Sequence, residues 1–125
     1  MAKGEQKGVK VVDTGKIRQF DTGATRDTSQ GKFDYEGFLS PLVLERFAEY
    51  MHKHRTQPDG SLRDSDNWQK GIPLNAYMSS GWRHFMDWWK IHRGLKVEEE
   101  DVEDVLCAVM FNAMGYLHEM LKSKK

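Results

Sequence analysis

One cysteine and three prolines in 125 residues leave this chain without cross-links and nearly without rigid breaks. Cys107, alone in an apolar run, excludes an intrachain disulfide framework and suits a reducing compartment. Charge of one sign is also missing. Nineteen basic residues balance nineteen acidic ones, so no overall field draws the chain to nucleic acid or an anionic membrane. No apolar run approaches the roughly 20 residues a membrane span requires, and the start lacks the apolar segment of a signal peptide. These absences predict a soluble, cytoplasmic protein of one small domain.

What is present is aromatic and soft: four Trp, six Phe and seven Met. Residues 1–20 are polar, with Val9, Val11 and Val12 hinting at a short extended piece, and read as a flexible leader before a single domain over 21–125. "TGATRDTSQGKFDYEGFLSP", Thr22 to Pro41, has turn signals and glycines but no apolar period, and reads as an ordered loop. Ser40 and Pro41, as cap and first helical residue, then open a helix with Leu44, Phe47, Ala48 and Met51 on one stripe. A second runs from Pro73 to Gly94 with Leu74, Met78, Gly81, Phe85, Trp88 and Trp89 as its apolar stripe, and a third from Glu98 to about Lys122. With no convincing strand alternation, the expectation is an all-α fold of three main helices behind an irregular N-terminal arm. Three such amphipathic helices leave apolar surface for self-association, so a homo-oligomer is expected.

The third helix carries the most informative pattern. Asp101, Asp104, Ala108, Asn112, Gly115 and Glu119 share one face, with Leu106, Met110, Ala113, Leu117 and Leu121 broadly opposite. Acids and an amide alternating with small residues suit the wall of a polar cavity, where carboxylates one turn apart can grip a divalent cation. The plainer reading makes Asp101 an acid favoured at a helix start. On the second helix His84 stands near Arg83 and Asp87. It is either a boundary histidine held by a backbone carbonyl, or a group that ligates metal or positions a water. Three apparent motifs fail. "GATRDTSQGK" lacks the spacing and the Ser or Thr of a phosphate loop, with Phe33 in that place. "RDSDNW" lacks the glycine and distal glutamate of an EF-hand, and His52-x-His54 lacks further zinc ligands.

Together "TGATRDTSQGKFDYEGFLSP", "DNWQKGIP", "WRHF" and "EDVEDVLCAVMFNAMGYLHE" resemble, in order, the phage-associated dATP/dGTP diphosphohydrolase N-terminal domain family. The resemblance implies kinship with MazG-like pyrophosphohydrolases: all-α oligomers that use Mg²⁺ and split a nucleoside triphosphate between its α- and β-phosphates. "DVEDVL" resembles their Glu-x-x-Asp element, which places Asp101 and Asp104 on the metal. Their preceding helix carries a Glu-x-x-Glu pair; here that helix has no glutamate and offers His84 and Asp87. On this reading Asp104, His84 and Asn112 are catalytic. Arg26, Asp27, Lys32, Asn67, Trp68, Lys70 and Arg83 contact a purine deoxynucleoside triphosphate, the glycines of the loop letting its backbone approach phosphate. The enzyme would act in the cytoplasm of an infected host. The alternative is a non-catalytic phage protein that sequesters nucleotides, including signalling nucleotides of host defence. DNA binding ranks last, for want of a basic face.

Overall fold

The computed structural model describes residues 10–99 and 101–125; the start of the expected leader, residues 1–9, lies outside them. The chain divides into two compact units, one ending at Leu44 and one beginning at Glu45.

The first unit overturns the all-α expectation. Three short strands, β1 (Val11–Asp13), β2 (Ile17–Phe20) and β3 (Thr25–Asp27), form an antiparallel sheet in the order β1-β2-β3. Val11 pairs with Phe20 and Arg18 with Arg26. The connections are tight, and Gly15 and Gly23 occupy them with φ of 91° and 92°, a conformation other residues rarely adopt. Asp13 ties the sheet to the loop after β3. Its carboxylate accepts from Thr28 Oγ1 at 2.5 Å, from Ser29 N at 3.0 Å, from Ser29 Oγ at 2.5 Å and from Gly15 N at 3.0 Å. Those bonds, led by the Ser29 and Thr28 hydroxyls, hold it well below the usual carboxylate range. Thus part of the leader and part of the opening loop are sheet, and Arg26 and Asp27 lie exposed on β3. Helix α1 (Tyr35–Phe38) is a single turn capped by Asp34, whose carboxylate accepts from Gly37 N.

Helix α2 (Pro41–Lys53) opens as expected, Ser40 Oγ accepting from Val43 N, and the boundary between the units falls inside it. A 3-10 turn (Asn67–Lys70), α3 (Leu74–His92) and α4 (Val102–Lys122) complete the second unit. Tyr77 faces Gly115 while Gly81 faces Asn112, so residue numbers rise on one helix as they fall on the other, and α3 and α4 run antiparallel.

Their contact inverts the expected faces. Ala108, Asn112 and Gly115 are buried on α4, and Tyr77, 3 % exposed, is the buried residue of α3. The small residues leave no open wall: a Cβ at Gly115 would lie inside the Tyr77 ring, so the missing side chain is what admits it. The apolar stripes instead remain open, with Met78 50 % and Leu117 57 % exposed. No helix of the described residues is long and apolar enough to cross a membrane.

Candidate functional site

Asp101 is the cap of α4: its Oδ1 accepts from Glu103 N at 2.9 Å and from Asp104 N at 3.4 Å, occupying donors that a helix start leaves free. One turn in, Asp104 is 5 % exposed. Burying a carboxylate costs several kcal/mol unless it is paired, and two cations from α2 do so. Arg46 Nη2 reaches its Oδ1 at 2.7 Å, and Lys53 Nζ binds its Oδ2. These two hydrogen bonds, Lys53 first, hold the Asp104 carboxyl below its ordinary value. Arg46 also bonds Glu103 Oε1 at 2.7 Å and stands 3.5 Å from Asp101 Oδ2, so α2 is clamped to the start of α4 by one guanidinium.

The resemblance to MazG-like enzymes implies magnesium here, and the donor set as placed does not suit it. A hard divalent cation needs several convergent oxygens. Both oxygens of Asp104 are engaged by cations, and Asp101 directs one of its own into the helix start. Among the described residues no group of three or more His, Cys, Asp or Glu is arranged to hold a metal ion.

A different place gathers polar groups. A cleft of about 680 Å³ in the second unit is lined from α2, the loop after it, the 3-10 turn, α3 and α4. It brings together four of the residues singled out from the sequence: Asn67, Trp68, His84 and Asn112. Trp68 is half-buried, edge-on to Phe111 at 6.1 Å and to His118 at 4.8 Å, so two rings of the cleft are fixed by packing. Asn112 Nδ2 donates to Ala108 O at 2.8 Å, which fixes its amide against its own helix. Asp101, Asp104, Lys70 and Arg83 do not line this cleft. Arg26, Asp27 and Lys32 belong to the first unit.

Several lining residues are not among those the sequence singles out. His54, named in the sequence only as half of an incomplete zinc pair, packs at a tilt against Tyr50 with ring centroids 4.4 Å apart, and both line the cleft. Partial burial, then the nearby Lys53 charge, pushes the His54 imidazole below its ordinary 6.5, so it is neutral at pH 7. Arg55 and Arg63 flank the Pro58-Asp59-Gly60 turn and line the cleft as well. A signal for them does exist in the sequence, since the two arginines stand at nearly equal distance from that turn, as hairpin partners would.

A half-open cleft with packed aromatic rings, three imidazoles, two amides and two guanidinium groups has the lining that an anion bearing a flat ring would need. Sequence comparison then specifies the family. The family described as "dATP/dGTP diphosphohydrolase, N-terminal" matches residues 22–125, and the chain belongs to it. No curated protein and no solved structure matches the chain. Family membership relates its function to that of dATP/dGTP diphosphohydrolases and implies a nucleotide as its substrate.

Proposed function

We propose that the chain binds dATP or dGTP in the cleft between α2, α3 and α4 and hydrolyses it to the monophosphate and pyrophosphate. The observation that carries this reading is the convergence of Asn67, Trp68, His84 and Asn112, from three separate stretches of sequence, on one cleft. Trp68 and Phe111 supply flat surfaces for a purine, a contact of about 1–3 kcal/mol per base in other proteins. His54, neutral at pH 7, accepts a proton from an attacking water, and His84 and Asn112 across the cleft orient that water. Magnesium, in this reading, enters as the counterion of the triphosphate.

A specific observation favours a second reading, binding without turnover. The carboxylate expected to serve catalysis, Asp104, is occupied by Arg46 and Lys53. One experiment separates the two. Purified protein is mixed with dATP or dGTP and Mg²⁺, and nucleotide binding and pyrophosphate release are measured in parallel. Stoichiometric monophosphate and pyrophosphate, lost in His84→Ala with binding retained, supports the hydrolase. Tight binding with no pyrophosphate supports the sequestering protein, and no binding of either nucleotide overturns both.

A homo-oligomer is part of the proposal. Met78, Trp82 and Phe85 of α3 and Leu117, Met120 and Leu121 of α4 line an apolar groove of about 650 Å³, with Lys124 at its edge. The 19 residues of α3 make this face about 28 Å long at 1.5 Å per residue and two helices wide. That is on the scale of the ~800 Å² per partner that stable interfaces bury. A second copy, offering the same two-helix face, covers it end to end.

A further inference from the structure

We infer that Arg55 and Arg63 form a clamp for an oligophosphate at the cleft, a role that rests on the nucleotide reading of the same site. The two arginines close a small hairpin. Thr56 bridges Leu62 in antiparallel fashion, Gln57 N donates to Ser61 O at 2.8 Å, and Gly60 turns the chain with φ of 87°. Asp59 braces the turn, accepting from Ser61 N at 2.9 Å and from Ser61 Oγ at 2.6 Å. At the open end Arg63 N donates to Arg55 O at 2.8 Å, which places the two residues opposite one another.

Their side chains are oriented by backbone. Arg55 Nε donates to Arg63 O at 2.7 Å, and Arg63 Nη1 donates to His54 O at 3.0 Å. Each guanidinium thereby commits one N–H and keeps roughly four of its five donors. Among the described residues, no carboxylate lies within 4.0 Å of either one; the ion pairs are made instead by Arg46, Lys53 and Lys122. Asp64, next in sequence, lines the same cleft without reaching them. Two guanidinium groups on one hairpin, lining one cleft and lacking an ion-pair partner among the described residues, leave a place for an anion to join them.

The chemistry narrows that anion. Paired planar forks match successive phosphates bidentately, which a single carboxylate does not need. The neutral net charge of the chain disfavours a nucleic-acid strand. An oligophosphate attached to a ring, its phosphates on Arg55 and Arg63 and its ring on Trp68 and Phe111, uses both the charged and the aromatic lining of the cleft.

Isothermal titration of the full chain tests this, with three probes: dATP, deoxyadenosine and inorganic tripolyphosphate. Wild type should bind dATP and tripolyphosphate. Arg55→Gln and Arg63→Gln should each weaken both by tenfold or more, leave deoxyadenosine binding within twofold and keep the thermal midpoint. Variants that bind tripolyphosphate within twofold of wild type overturn the clamp, as does a parallel loss of all three probes with a lowered midpoint, which would make the arginines hairpin struts. If the glutamine variants do not fold, Arg55→Lys and Arg63→Lys carry the test: charge is kept and the fork lost, so tripolyphosphate should weaken severalfold, and unchanged affinity overturns the proposal. Arginine-dependent binding of tripolyphosphate as tight as that of dATP leaves the clamp standing and removes the nucleotide reading. Arginine-independent binding of dATP does the reverse, and a wild type that binds neither removes both.

Discussion

Tyr77 and Gly115 form a pair in which each residue explains the other. The ring occupies the volume a side chain at position 115 would take, and its hydroxyl, shut in by that fit, is a buried polar atom with no hydrogen-bond partner among the described residues. Gly115→Ala should therefore drive the ring out of its seat and cost about 2 kcal/mol or more by overpacking. In a unit of this size that lowers the thermal midpoint by roughly 10 °C. Tyr77→Phe should be neutral or stabilising by up to ~1 kcal/mol, because it deletes an orphaned hydroxyl and keeps the ring. Calorimetry on both variants checks the pair; a destabilised Tyr77→Phe would mean the hydroxyl has a partner after all. Asp104 is the residue whose behaviour with acid is most informative. Its carboxyl is held below the ordinary 3.8 by Lys53 and Arg46, so its contribution to stability is complete above that pH and disappears as pH falls through the lower folded value. Asp104→Asn should cost about 2 kcal/mol at pH 7 and flatten the stability profile below about pH 4. Mg²⁺ alone at millimolar concentration should leave the wild-type midpoint unchanged. A rise of several degrees that vanishes in Asp104→Asn would show that Arg46 and Lys53 surrender the carboxylate to the metal.

The elements differ in how far their residues announce them. Helices α2, α3 and α4 are legible because their apolar spacing runs for three turns or more and their ends carry Ser40-Pro41, Pro73, Gly94 and an acidic first turn. The sheet is not, since its strands are three or four residues long. On β2 the half-buried positions are Arg18 and Phe20, while Ile17 is exposed, so no hydrophobic alternation marks it. The helix faces read the wrong way round from sequence for a physical reason: Ala108 and Gly115 permit close approach of α3, and close approach buries the small face while the broad apolar one stays open. Of the candidate site, the side chains with distinctive chemistry (His84, Asn112, Asn67, Trp68) are legible in the sequence. Arg55 and Arg63 offer only their even spacing about Pro58-Asp59-Gly60, because their meaning depends on a hairpin that brings them together across its turn. The sheet offers its own check at this scale. In Asp13→Ala the amide of Ser29 loses its acceptor, so hydrogen exchange at Thr28 to Gln30 should accelerate while α3 and α4 keep their protection. Unchanged exchange there would show that Asp13 does not hold the sheet to the following loop.

At the scale of the whole molecule, the apolar groove along α3 and α4 is the face that the proposed homo-oligomer would cover. If that face is covered, Trp82→Glu or Leu117→Glu should shift light scattering from oligomer to monomer at micromolar concentration with helicity intact, because each places a charge on the groove's lining. An unchanged mass in both variants would move the interface elsewhere. Asn112 gives this groove a wider meaning, for it lines the groove and the polar cleft alike. A single amide thus stands between the surface proposed to meet another copy and the cleft proposed to take the ligand. Thermodynamic reciprocity then leaves no freedom: whatever factor the ligand adds to self-association, self-association must add to ligand affinity. A titration of dATP at rising protein concentration would read that shared factor directly, and Asn112→Ala should bring it towards one.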